Sequence, residues 1–148
     1  MHYGLINIYI LPIYISRSLI RFKRTQFFLY RLKSKNISVP KIYQQLCVKH
    51  PNKVLFLYGD EKWTFQQIDE FSNKVANFFI SQGYDHGDEV ALFMDNRPEY
   101  VGIWLGLAKA GIVAALVNTN QRLETLIHSL SLVKCKALIF SSELLQGK

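Results

Sequence analysis

The sequence predicts an α/β fold in which a β-hairpin leads into a βαβαβ parallel sheet, preceded by an apolar and basic amino-terminal segment. From Asp88 to Phe140 short apolar runs alternate with helical periodicity, with Gly, Pro or Asn at the joints, as strands alternating with crossover helices require. Upstream, two β-prone runs flank Gly59-Asp60-Glu61. The charge is also uneven: the first 59 residues hold ten Lys and Arg and no acid, whereas the rest hold eight bases and eleven acids. The formal charge of +7 therefore belongs wholly to the amino-terminal part. A basic block beside an apolar one points to a membrane surface more than to nucleic acid.

Residues 3–16 are apolar except for Asn7 and Ser16, and Arg17, Arg21, Lys23 and Arg24 follow at once. This run is shorter than the about 20 apolar residues of a spanning helix, and Pro12 would kink it. No Lys or Arg precedes the apolar run and no small-residue cleavage site follows, so it does not read as a cleaved signal peptide. If it inserts, the basic flank places everything after Arg17 in the cytosol. Residues 1–35 are thus expected to be a membrane-associated segment, with Phe22 to Lys35 in the headgroup region.

A second region, 38–148, is expected to be globular, and 49% hydrophobic residues supply its core. Ser38-Val39-Pro40 opens a short helix with Ile42, Leu46 and Val48 inward, closing at His50-Pro51-Asn52. Val54 to Tyr58 and Lys62 to Thr64 form the hairpin. Thr64 with Gln67 is a capping-box signature, and it opens a helix with Phe65, Ile68, Phe71, Val75, Phe78 and Phe79 on one face, ending at Gly83.

The first parallel strand is Glu89 to Met94. Asn96 as cap, Pro98 in the first turn and Glu99 three residues past the cap start the next helix, with Val101, Trp104, Leu105 and Ala108 at helical spacing until Gly111. Ile112 to Val117 is continuously apolar and reads as a strand covered on both faces. After Asn118-Thr119-Asn120 a helix repeats Leu123, Leu126, Ile127 and Leu130, and Ala137 to Phe140 is the third strand. Cys47 and Cys135 have no metal or redox spacing and are expected to be reduced thiols.

Few residues invite a chemical reading. Gly102 and Gly106 are spaced for close helix-to-sheet packing, and Gly83 to Gly87 precedes its strand, the wrong order for a dinucleotide loop. Asp95, Asn96 and Glu99 cluster at a strand end where open sheets place ligands, although capping accounts for Asn96 and Glu99. Asn118, Thr119, Asn120 and Arg122 follow a strand at the same end and read as a turn and helix cap that could line a channel in a larger enzyme. His128 falls opposite Leu123, Ile127 and Leu130 and reads as solvated.

Glu61-Lys62-Trp63-Thr64-Phe65-Gln66-Gln67, Gln82-Gly83 and Gly87 through Tyr100 resemble the amino-terminal part of the adenylate-forming, AMP-binding enzymes. Within that superfamily, Trp104 to Gly111, Ala115 to Arg122, Val39 to Tyr43 and His50 to Lys53 resemble the fatty acid transport proteins, or very-long-chain acyl-CoA synthetases. The resemblance covers about residues 38 to 145; the first sixteen residues match no pattern typical of the group. It implies activation of a long-chain or very-long-chain fatty acid by ATP to an acyl adenylate and transfer to coenzyme A, coupled to fatty acid uptake. It also implies an endoplasmic reticulum or plasma membrane setting.

ATP, Mg and coenzyme A are implied for a complete family member, but this chain has no Gly/Ser/Thr-rich phosphate loop and no such loop followed by Lys. No catalytic, cofactor-binding or metal residue is therefore assigned in it. The chain reads as an amino-terminal piece of the adenylate-forming fold, inactive alone. The alternative is a membrane-tethered, non-catalytic product that binds or interferes with a full-length family member. A nucleic-acid partner is not expected, because only the apolar-rich first 59 residues are basic.

Overall fold

The computed structural model describes residues 4–121 and 123–146. It divides into two compact units, Met1–Lys41 and Ile42–Lys148. The first is built on helix α1, Gly4–Ser34, which runs unbroken through Pro12. It ends in a Schellman closure: Ile37 N donates to Leu32 O at 3.0 Å, Asn36 N donates to Lys33 O at 3.1 Å, and Asn36 sits at φ 49. Among the described residues no helix is long and apolar enough to cross a membrane. The basic residues from Arg17 onward cut the apolar run short.

Helix α2, Val39–Lys49, leads into the second unit. Its inward residues differ from the expected ones: Tyr43 and Cys47 are buried, whereas Leu46 is exposed and Val48 is 85% exposed. The polar atoms decide this register, because Tyr43 Oη donates to Phe65 O at 2.7 Å and Cys47 Sγ lies 3.6 Å from the same oxygen. Both cysteines are free thiols, and burial pushes Cys47 and Cys135 upward, away from the reactive thiolate.

Strands β1, Val54–Tyr58, and β2, Glu61–Thr64, pair antiparallel as the expected hairpin, with a bulge between Val54 and Phe56. Helix α3, Phe65–Ser81, starts with the predicted capping box: Gln67 N donates to Thr64 Oγ1 at 3.2 Å and Thr64 N donates to Gln67 Oε1 at 2.8 Å. Its buried stripe is Ile68, Ser72, Ala76 and Phe79, with Phe65, Phe71 and Val75 partly buried beside it. Phe78, expected inward, is 58% exposed, because the small residues Ser72 and Ala76 take the line of closest approach instead.

The parallel sheet comprises β3, Glu89–Phe93, β4, Val113–Leu116, and β5, Ala137–Phe140, in the order β4-β3-β5. The chain thus places its first parallel strand in the centre, where Val90, Ala91 and Leu92 are fully buried. This corrects the expectation for β4. As an edge strand it leaves Val113 and Leu116 more than half exposed despite its continuously apolar sequence. At the amino ends of the strands Lys136 Nζ meets Asp88 Oδ1 at 2.6 Å, which holds the Asp88 carboxyl below its usual range and raises Lys136.

Helix α4, Pro98–Lys109, crosses from β3 to β4, and α5, Leu123–Leu132, from β4 to β5. Arg97, not Asn96, occupies the cap position of α4, and its side chain makes no capping bond; Pro98 and Glu99 stand in the first turn as expected. Gly111, at φ 76, closes the exit, and its N–H reaches Ala108 O at 3.3 Å. On α5, Ile127 is exposed together with His128.

The core is a sandwich of α3, α4 and one face of the sheet, with Phe79, Val90, Leu92, Ile103, Leu107 and Ile112 at its centre. Helix α4 reaches α3 through Gly106, where an added Cβ would lie 2.6 Å from Val75 Cβ and 2.7 Å from Ser72 O. Gly102 sits against the Phe71 ring. The expected close packing is therefore real, but its partner is a helix and not the sheet.

The same seam holds Lys109, whose side chain is 7% exposed. Its Nζ donates to Asp69 Oδ1 at 2.7 Å, Ser72 Oγ at 2.7 Å and Asn73 Oδ1 at 2.8 Å. Three acceptors from one helix satisfy the three ammonium donors, so the burial of this charge is compensated.

Gly106→Ala is expected to destabilise the chain by about 1–3 kcal/mol, because the clash includes the α3 backbone and outweighs the roughly 1 kcal/mol of helix propensity that alanine gains. Gly102→Ala meets only a ring that can turn, and is expected to cost less. Urea denaturation of both variants measures the difference; equal or reversed effects would contradict the α3–α4 contact.

Candidate functional site: a cleft at the carboxyl ends of the strands

Parallel sheets bind ligands outside their carboxyl ends, where crossover loops diverge and backbone groups point outward. Here a cleft of about 400 Å³ lies at that end, between the segment following β3 and the segment following β4. Met94, Asp95 and Asn96 form one wall, Val117 to Asn120 the other, and Tyr100 from the first turn of α4 the back.

Two local bonds shape it. Thr119 Oγ1 donates to Asp95 Oδ1 at 2.7 Å, tying the walls together, and Asn118 Oδ1 accepts from Asn120 N at 2.9 Å in an Asx turn. Val117 N also continues the ladder one residue past β4, bonding to Leu92 O at 3.0 Å. Burial pushes the Tyr100 hydroxyl upward, so it stays a neutral donor and acceptor near pH 7.

A second, more apolar hollow of about 350 Å³ adjoins the first and shares Asn96 and Tyr100 with it. Phe56, Leu57 and Tyr58 of β1 face Pro98 and Val101 of α4 across it, and Arg97 stands at its edge. Arg97 Nη2 is bonded to both Glu143 oxygens, at 2.8 and 2.6 Å, which ties the segment after β3 to the short 3₁₀ turn Ser142–Gln146 after β5. Arg97 Nε and Ser141 Oγ are buried without a hydrogen-bond partner among the described residues.

The predicted strand-end residues therefore come together in part. Asp95, Asn96, Asn118, Thr119 and Asn120 line one cleft; Glu99 is not among its lining residues, and Arg122 lies outside the described residues. Sequence reasoning missed Tyr100 and the Arg97–Glu143 pair. The latter joins residues 46 apart, and no local pattern announces it.

The cleft offers amide and hydroxyl groups for binding. Among the described residues its lining includes no His, Lys, Cys or Ser that could act as base or nucleophile. Among the described residues no three His, Cys, Asp or Glu side chains converge as a metal would need, and the one lining carboxylate, Asp95, is already bonded to Thr119. These residues do not fit a divalent-metal site.

Residues 43–148 match the family described as AMP-binding enzyme. The chain is 42% identical over 123 residues to long-chain fatty acid transport protein 1 of Rattus norvegicus, a match covering 82% of this chain and 19% of that protein. It is 31% identical over 110 residues to medium/long-chain-fatty-acid–CoA ligase FadD6 of Mycobacterium tuberculosis, covering 74% of this chain and 18% of the relative.

Among solved structures, the Klebsiella oxytoca NpsA amino-terminal subdomain in complex with 3-hydroxybenzoyl-AMSN superposes with a TM-score of 0.68 at 25% identity, covering 72% of this chain and 27% of that one. The anthranilate CoA ligase AuaEII in complex with anthranoyl-AMP gives the same TM-score and identity, with 72% and 21% covered. The chain thus spans about a fifth of the length of the curated relatives it matches.

Thr119→Val is expected to cost about 1 kcal/mol by leaving Asp95 without its donor, and Thr119→Ser is expected to restore most of it. Urea unfolding of the pair measures this; an unchanged midpoint in the valine variant would contradict the wall-to-wall bond.

Proposed function

Because the chain belongs to the AMP-binding enzyme family, we propose that its residues serve the ATP-dependent activation of long-chain fatty acids to acyl-CoA, coupled to fatty acid uptake at a membrane. Its curated relatives include fatty acid transport proteins and a fatty-acid–CoA ligase. The observation that carries the reading is the 42% identity to a long-chain fatty acid transport protein across 82% of the chain.

In this reading residues 38–148 are scaffold. They present the carboxyl ends of β3 and β4 and a polar cleft with an apolar hollow beside it, a pairing that suits an amphiphilic ligand. ATP, Mg and coenzyme A would be held by residues elsewhere in a complete enzyme. No step of the reaction is assigned to Asp95, Asn96, Tyr100 or Thr119. The reading places the protein at the endoplasmic reticulum or plasma membrane, with residues after Arg17 on the cytosolic side and residues 1–35 at the bilayer.

A second reading is a non-catalytic product that pairs with a full-length family member. It is favoured by the edges of β4 and β5, which have no further strand beside them among the described residues, and by the exposed Val113, Leu116, Leu138 and Phe140 around them.

The test compares the purified 148-residue chain with the same sequence joined to the remainder of a family member, measuring pyrophosphate release with ATP, oleate and coenzyme A. The expected result is activity in the joined protein and none in the 148 residues alone. Acyl-CoA formation by the short chain, or a joined protein that ignores long-chain acids, would overturn the proposal. Loss of the joined protein's activity on adding the short chain, with the two co-purifying, would favour the second reading.

A further inference from the structure

The apolar hollow beside the cleft has one charged residue in its lining among the described residues, Arg97. Phe56, Leu57 and Tyr58 of β1 and Pro98 and Val101 of α4 supply walls that are mostly hydrocarbon. Leu57 and Tyr58 are exposed there, so the hollow presents apolar area that a bound chain would remove from water. Its volume of about 350 Å³ suits a small-molecule site.

A guanidinium carries five N–H donors. Both bonds that Arg97 makes to Glu143 use Nη2, whereas Nε is buried with no partner among the described residues. A buried donor without an acceptor is costly, and Arg97 does not spend its side chain on capping α4. The Arg97 side chain is 22% exposed and that of Glu143 59%. The acid already on the arginine is thus the more solvated partner, and an ion pair of that kind holds weakly against a competing carboxylate.

A wholly apolar ligand would fill the hollow and leave Nε unpaired. A nucleotide phosphate would find one guanidinium, already shared with Glu143, among hydrocarbon walls. A carboxylate on an apolar chain satisfies both parts: its oxygens accept charge-assisted bonds from the guanidinium, and its chain covers Leu57 and Tyr58.

We propose that this hollow holds a long-chain fatty acid, with the carboxylate on Arg97 and the chain along Phe56 to Tyr58 and Val101, and that the acid displaces Glu143 as it binds. The proposal rests on the fatty acid reading above and adds to it a holding site that needs no ATP and makes or breaks no covalent bond. Two carboxylates at one guanidinium repel each other, so Glu143 gives way. With it goes the tie between the segment after β3 and the Ser142–Gln146 turn.

The test incubates the 148-residue chain, without ATP, with a palmitate carrying a mid-chain diazirine, and locates the photolabel by mass spectrometry. Label is expected on Val54 to Tyr58 and Pro98 to Val101. Excess oleate is expected to remove it, and methyl oleate, which has no carboxylate, is expected to leave it. Arg97→Gln is expected to weaken oleate binding by about tenfold or more, the loss of one charge-assisted pair. Glu143→Gln removes the competing acid and is expected to strengthen it by about threefold. Both substitutions break the same ion pair, so a purely structural role for that pair would move them in the same direction. Amide exchange in Ser142–Gln146 is expected to quicken on adding oleate.

Label confined to residues 4–41, equal competition by methyl oleate, or weakened binding in both variants would overturn the site. If the joined protein described above still activates oleate, the fatty acid reading survives that result. A joined protein that ignores long-chain acids, beside a short chain that binds oleate through Arg97, would instead uphold the site and remove the reading it came from.

Discussion

The fit of α4 against α3 is the contact on which the second unit depends. At Gly106 the two helices come close enough that no side chain can stand between them, and Ser72 and Ala76 keep the facing surface of α3 equally low. One turn further on, Lys109 buries its charge among Asp69, Ser72 and Asn73. The apolar part of the seam has little directional preference. The lysine supplies direction, because only one register of α4 along α3 brings all three acceptors within 2.8 Å of Nζ. Removing either partner would leave a charge in a place built for two.

From that seam the rest follows geometrically. With α3 and α4 locked, their common face covers β3, and Val90 and Leu92 fill the gap with Ile103 and Leu107. A buried central strand fixes where its carboxyl end emerges, and so where Asp95 and Asn96 stand. The start of α4 fixes Arg97 and Tyr100 beside them. The cleft is therefore a product of helix packing at a distance, closed on its other wall by the Thr119–Asp95 bond. Its lining offers amide and hydroxyl groups at the carboxyl ends of β3 and β4.

Much of the fold is legible in the sequence because its signals are local. The capping box at Thr64 and Gln67, Pro98 in the first turn of α4 and Gly111 at the exit of α4 each act within a few residues, and each is found in place. What local patterns mislead about is which side of an element is covered. Continuous apolarity in β4 predicts burial on both faces, yet strand order puts β4 at the edge; that order depends on which way each crossover turns. Leu46, Val48 and Phe78 are misjudged for a related reason. A hydrophobicity pattern ranks residues by apolarity, whereas close packing selected Tyr43 and Cys47 for their reach to Phe65 O, and Ser72 and Ala76 for their small size. At the site, the strand-end position of Asp95 and Asn118 to Asn120 was readable, but the Arg97–Glu143 pair and the Lys109 cage join residues 36 to 46 apart and leave no periodic trace.

The most direct measurement is hydrogen exchange on the Lys109→Met variant, which keeps the length of the side chain and removes its charge. If the seam holds the sheet in place, amide protection in β3, at Val90 to Leu92, falls together with protection in α3, although the Lys109 ammonium bonds only to Asp69, Ser72 and Asn73 of α3 among the described residues. Loss confined to α3 around Asp69 to Asn73, with β3 exchanging as slowly as in the parent chain, would contradict it.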